Sequence, residues 1–133
     1  MRARICRQTL AAVLAAVALQ AAASEQGVRN RVALGALVFA ENCKSCHQID
    51  GYGEEALYPS LRDATLLADE RLLITTVLHG RLARGKDGAE TKRLMPSMDF
   101  LTNREIAAII AFITNSWGAE VLMVTEERIE SAR

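Results

Sequence analysis

Phe39-Ala40-Glu41-Asn42-Cys43-Lys44-Ser45-Cys46-His47 is the stretch on which the reading of this chain turns. It closes a segment of helical periodicity, about Arg31 to Asn42, in which Gly35, Val38 and Phe39 share one side with Leu34 and Leu37 beside them. Two cysteines three positions apart on a helical turn reach the two vinyl groups of one porphyrin as thioethers. The next residue, His47, then projects over the ring centre to bind iron axially. This is the attachment pattern of a c-type haem. Other chemistries of the motif fit less well. A redox dithiol of thioredoxin type follows a strand in a βαβ pattern, and no such pattern is visible. Structural zinc needs four ligands, and the chain offers Cys43, Cys46, His47 and a distant His79. A disulfide between Cys43 and Cys46 would close a small, strained loop.

Working outward, the 133 residues are half apolar, enough for one domain and little more. The 16 basic and 16 acidic side chains cancel, which removes a bulk-charge case for nucleic acid. Aromatics at 5%, with 8 Gly and 2 Pro, disfavour collagen-like, mucin-like and many-stranded architectures. Three cysteines are too few for a disulfide scaffold. A small, mostly helical protein remains.

The first residues read as an address. Arg2, Arg4 and Arg7 form a positive region, Leu10–Leu19 is an unbroken apolar run of ten residues, and Ala21-Ala22-Ala23 precedes Ser24. A spanning helix needs about 20 such residues, so residues 1–23 are expected as a cleavable signal peptide rather than an anchor. Cys6 precedes the apolar run, where a lipidated cysteine would follow it. Cleavage removes three arginines and no acid, turning the balance to net −3, and leaves Cys43 and Cys46 as the only cysteines. The expected location is the bacterial periplasm, an oxidising compartment in which such a pair bridges or is claimed by a cofactor.

Two further helices are legible. One runs from about Asp69 to His79, with Asp69 as N-cap, Leu72, Leu73, Thr76 and Val77 at helical offsets and Gly80 as stop. The other opens on the capping box Thr102-Asn103-Arg104-Glu105 and carries Ile106, Ile109, Ile110, Ile113 and Trp117 on one stripe, closing at Asn115, Ser116 and Gly118. Loops are expected over Gln48–Ser60 and Arg81–Met98, the second long enough to be functional. The tail, residues 119–133, is expected to form a short helix over the body. A few helices around long loops lack a large core of their own, so a cofactor is expected to fill the middle.

A second strong iron ligand is offered by Leu94-Met95-Pro96-Ser97-Met98. A thioether suits low-spin iron, and Pro96 stiffens the loop that must present it. Spacing alone leaves Met95 and Met98 as rivals. His79, at a helix end before Gly80, reads as a charge partner of that end. The run Arg81, Arg84, Lys86, Asp87, Glu90, Lys92 and Arg93 could dock an acidic partner or approach a haem propionate. It reads more simply as a solvated face.

Taken together the residues resemble the class I cytochromes c of bacteria, small monohaem electron carriers. The likeness spans roughly Val32 to Gly118. It rests on Gly35-x-x-x-Phe39-x-x-x-Cys43-Lys44-Ser45-Cys46-His47, Gln48-Ile49-Asp50-Gly51-Tyr52-Gly53, Tyr58-Pro59-Ser60-Leu61, Val77-Leu78-His79-Gly80, Met95-Pro96, Leu101-Thr102-x-x-Glu105-Ile106-Ala107-Ala108 and Asn115-Ser116-Trp117-Gly118. The resemblance implies an all-α cytochrome c fold, three to four main helices plus long loops around one covalently bound haem, over residues 24–118. It implies that Cys43 and Cys46 hold the porphyrin and that His47 is the proximal ligand. Met95, as the Met before Pro, would then be the distal ligand, with Met98 as rival. It further implies that the Pro59 carbonyl accepts a hydrogen bond from the proximal imidazole, and that Gly35 and Phe39 let the first helix cross closely over Ile109–Ile113. Phe112 stands where relatives often carry Tyr. The Asn-Ser-Trp-Gly closure and basic-ended tail are similar to cytochrome subunits that accompany periplasmic dehydrogenases.

The expected function is a periplasmic one-electron carrier with a single haem c, its iron ligated by His47 and Met95, and no substrate chemistry of its own. It would work as a free shuttle or as the cytochrome subunit of a dehydrogenase or oxidase, with redox proteins as donor and acceptor. No nucleic acid is expected, and membrane contact only if the signal stays uncleaved. The alternative is a five-coordinate haem acting as gas sensor or peroxidase. That requires Met95 and Met98 both off the iron, and no distal His or Arg pair in peroxidase-like spacing is seen. A non-haem redox or binding module would leave the apolar helix faces poorly covered.

Overall fold

The computed structural model describes residues 2–54, 58–84 and 90–133. In chain order its elements are α1 (Arg2–Asn42), α2 (Lys44–His47), α3 (Ala64–Leu67), α4 (Glu70–His79), β1 (Arg81–Arg84), β2 (Glu90–Met95), α5 (Asn103–Trp117) and α6 (Glu126–Glu130). The protein is mostly helical, in keeping with the all-α expectation.

The helix expected over 31–42 is the second part of the 41-residue α1. The Ala-rich run and the polar stretch after it contain no Pro and a single Gly, Gly27, so nothing interrupts them locally. The chain divides into two units, Met1–Asn30 and Arg31–Arg133. In the first, residues 15–27 are exposed throughout, Leu19 at 74%. Its polar contacts, such as Arg29 with Glu25 at 3.4 Å, join neighbours on the same helix. Among the described residues no helix is long and apolar enough to cross a membrane.

In the second unit the helix starts follow their capping residues. Asp69 accepts from the Leu72 amide at 2.9 Å and opens α4. The Thr102 hydroxyl accepts from the Glu105 amide, the Glu105 carboxylate accepts from the Thr102 amide, and α5 begins there. Its Ile stripe is buried, and so are Ala107, Ala108 and Ala111. Those small residues let α1 come close. A Cβ on Gly35 would fall on the Ala108 carbonyl oxygen and lie 2.7 Å from the Phe112 Cβ, so only glycine permits this crossing. Beside it Phe39, Phe112 and Trp117 form a cluster, with ring centroids 5.2, 5.7 and 5.9 Å apart pairwise. Phe112 thus keeps the ring that the contact uses, without a hydroxyl.

Arg81–Met98, expected as a loop, contains an antiparallel hairpin. β1 pairs with β2 from Arg81↔Met95 to Arg84↔Glu90, with two register irregularities. The arms have no alternating apolar face, which is why they do not read as strands. The available signal was the dipeptide Asp87-Gly88, a favoured hairpin turn that itself lies outside the described residues. The segment 119–133 forms α6 and packs on the body, with Val124 and Ile129 fully buried. It is tied to three helices: the Leu122 amide donates to Thr114 Oγ1 of α5 at 3.0 Å, Arg31 Nη1 of α1 to the Val124 carbonyl at 2.7 Å, and Arg128 pairs with Glu70 of α4 at 3.1 Å.

Candidate functional site

α1 stops at Asn42 and the chain turns at Cys43 into α2, a single turn that ends on His47. The His47 amide donates to the Cys43 carbonyl at 3.0 Å, so both cysteines and the histidine sit on one continuous turn. Gln48 follows at φ 59°, ψ 164°, a conformation that costs a non-glycine residue about 1–3 kcal/mol. The reversal folds the next loop back over the histidine. The Gly53 amide donates to the His47 carbonyl at 3.0 Å and the Leu61 amide to the Gly51 carbonyl at 2.8 Å. The Pro59 carbonyl thereby comes within 3.1 Å of His47 Nδ1. A carbonyl only accepts, so Nδ1 carries the proton and the lone pair is left on Nε2. Burial holds His47 below its ordinary pKa, opposed in part by the Pro59 bond, which favours the neutral imidazole that a metal needs.

These residues open onto a cavity of about 850 Å³. Cys43, Cys46, His47 and Pro59 line one wall, Met95, Pro96 and Met98 another, and Leu73, Val77, Ile109 and Ile113 of α4 and α5 the floor. Every site residue expected from the sequence therefore borders one space. Met95 is half-buried at the end of β2, whereas Met98, 8% exposed, belongs to the packed core, its amide donating to the Val77 carbonyl at 3.0 Å. His79 is exposed and its Nε2–H donates to the Ala132 carbonyl at 2.9 Å, away from the lining residues. Of the charged run, Arg81 borders the cavity, while Lys86 and Asp87 lie outside the described residues.

The sequence reading gave Gly80 only as the stop of α4 and assigned Ser97 no role, yet both hold the methionine side. Gly80, at φ +71°, caps α4 directly beneath the Met95 carbonyl, and a Cβ there would strike that oxygen and lie 2.8 Å from the Pro96 carbonyl carbon. Ser97 Oγ donates to the Leu78 carbonyl at 2.6 Å, hanging the loop on the end of α4. In the loop that follows His47, the Arg62 guanidinium lies 4.0 Å from the Tyr52 ring centroid and donates to the Asp50 carbonyl at 2.9 Å. Ser97 and Arg62 carry no motif that would flag them, and Tyr52 entered only as part of a stretch that carries the family resemblance.

A c-type haem fits these residues. The cavity is mostly apolar, two thiols stand on one turn, one imidazole is oriented by a carbonyl, and two thioethers line the same space. A redox dithiol fits poorly, because burial and the neighbouring Cys46 push the Cys43 thiol up to about 11, whereas reactive pairs are pushed down. Among the described residues no group of three His, Cys, Asp or Glu could hold another metal.

Comparison with known proteins agrees. A family model described as cytochrome c matches residues 32–117. The chain is 34% identical over 88 residues to the gluconate 2-dehydrogenase cytochrome c subunit of Pantoea cypripedii, covering 63% of this chain and 20% of that protein. It is 29% identical over 87 residues to the alcohol dehydrogenase (quinone) cytochrome c subunit of Gluconobacter oxydans (strain 621H), covering 63% of this chain and 18% of that protein. It is 33% identical over 90 residues to cytochrome c-552 of Thermus thermophilus, covering 63% and 68%. The chain thus spans about a fifth of the dehydrogenase subunits that it matches.

Proposed function

This chain belongs to the cytochrome c family, which carries a covalently bound haem c, and on that premise we propose that it is a periplasmic one-electron carrier with His47 and Met95 as axial ligands. The observation that carries the reading is the convergence of Cys43, Cys46, His47 and Met95 on one apolar cavity, with His47 Nδ1–H committed to Pro59. When bound, the haem supplies the one-electron ferric/ferrous couple. The chain's own residues do the rest. Cys43 and Cys46 hold the macrocycle, and the Pro59 carbonyl fixes the imidazole's tautomer and raises its basicity. Leu73, Val77, Ile109 and Ile113 exclude water, which lowers the cost of reorganisation on electron transfer. Met95 is favoured over Met98 because the Met98 side chain is engaged in the core.

Residues 1–23 are read as a signal peptide, a reading supported by the exposure of residues 15–23. Two of the relatives above are named as cytochrome subunits of dehydrogenases. We therefore favour a dehydrogenase as electron donor, with this chain as its cytochrome subunit or as a shuttle from it.

The test is the optical spectrum of the haem-loaded protein. A low-spin ferric form with the weak sulfur-to-iron charge-transfer band, lost in Met95→Ala and kept in Met98→Ala, is the expected result. A high-spin spectrum that shifts with carbon monoxide overturns it in favour of an open site for gas sensing or peroxide.

A further inference from the structure

Residues 119–133 lie beyond the matched stretch, and haem attachment gives them no task. Besides the ties of Leu122, Val124 and Arg128 to the three helices, a second set of contacts gathers at its last residues. Arg133 spreads its guanidinium over three acceptors: Nη2 donates to the Leu101 carbonyl at 2.6 Å, Nη1 to the Asp99 carbonyl at 2.8 Å and Nε to Asn103 Oδ1 at 2.8 Å. Glu130 closes the ring, accepting from Asn103 Nδ2 at 2.7 Å and standing 3.8 Å from Arg133. The adjacent Ala132 carbonyl accepts from His79 Nε2–H, on the last residue of α4.

These two grips act on the stretch that follows Met95. Its near end hangs on α4, through Ser97 to Leu78 and Met98 to Val77. Its far end, Asp99–Asn103, is the strip that Arg133 holds. We infer that Ala132–Arg133 is a clasp that anchors the stretch following Met95, directly at Asp99–Asn103 and through His79 at the end of α4 on which that stretch hangs, so that sulfur ligation depends on a segment distant in sequence and outside the family match. Ala132 and Arg133 are positioning residues, and the inference rests on the reading of Met95 as ligand. The physical basis is the guanidinium itself. It is a rigid planar fork whose charge-assisted bonds are stronger than neutral ones, and here it is only 30% exposed. Releasing it returns two backbone carbonyls to water and gives the loop open states, and a thioether contact is among the first to yield to them.

The experiment titrates the ferric, haem-loaded protein with imidazole, which competes with Met95 for the iron. Apparent affinity scales with the open fraction, so Arg133→Gln should bind imidazole roughly tenfold more tightly than the native protein. Arg133→Lys, which keeps the charge and loses the fork, should fall between them and serves if the glutamine variant does not fold. Arg128→Gln breaks the α6–α4 pair on the same segment without touching the loop, and should leave imidazole affinity at the native value. A purely structural role lowers the melting temperature of Arg133→Gln without moving imidazole affinity, and that result overturns the inference. Met95→Ala sets the fully open limit. If the native protein already binds as tightly as Met95→Ala, the ligand reading falls and the clasp with it. If those two differ while Arg133→Gln and Arg133→Lys match native, the clasp alone falls.

Discussion

The two walls of the cavity are built in opposite ways. Cys43, Cys46 and His47 occupy one turn, oriented by hydrogen bonds that span at most a dozen residues, the longest from His47 to Pro59. Met95 and Pro96 sit at the end of a hairpin and are positioned by remote partners: Gly80 and Leu78 at the end of α4 and, beyond Met98, Arg133. The first wall is a local motif. The second exists only when α4, α5 and the 119–133 segment have packed. The lesson is that a motif locates the half of a site whose geometry is local, while the other half is set by whatever packs against it.

Removing the near wall should have the largest effect. Cys43→Ala with Cys46→Ala abolishes covalent haem attachment and leaves the apolar floor facing an unfilled cavity. The expected outcome is a poorly folded protein without a cooperative melt by circular dichroism. A native-like cooperative transition would count against the haem-centred account. Met98→Ala should come next in stability: its side chain is in the core, so a loss of about 2–4 kcal/mol is expected in denaturant melts, with the charge-transfer band retained.

Gly80→Ala attacks the far wall alone. At φ 71°, ψ −166° the backbone costs a residue with a Cβ about 1–3 kcal/mol, and here that Cβ also meets Met95 and Pro96. Covalent haem attachment should be unchanged while the charge-transfer band weakens, readable in one ferric spectrum. An unchanged band would mean that the end of α4 does not set the sulfur.

Thr102→Ala should be the smallest, about 1 kcal/mol, since it removes an N-cap. It also alters the acid limb. Hydrogen bonds from the Thr102 hydroxyl and amide hold the Glu105 carboxyl below its ordinary 4.5. A depressed carboxyl stabilises the fold above its ordinary value and loses that contribution as pH falls through the lowered one. Urea melts from neutral pH down to below 4.5 should therefore fall less steeply for Thr102→Ala than for the native chain.

The sequence by itself determined the elements whose signals are local. The α5 capping box, the Asp69 and Gly80 ends of α4 and the Cys43–His47 turn are each written within a few adjacent residues, and each lies where those residues put it, whereas the Gly35 crossing, a contact with residues about seventy positions away, was implied only by the family resemblance. What remained open was decided by packing. The β1–β2 hairpin has no apolar alternation to announce it. The contrast between half-buried Met95 and core-bound Met98, two thioethers three residues apart, arises from how the loop hangs on α4. The grip of Arg133 on Asp99, Leu101 and Asn103 joins residues about thirty positions apart through bonds to backbone carbonyls and an amide. Backbone acceptors look alike in any sequence, so which of them a side chain meets is known only once the chain has folded.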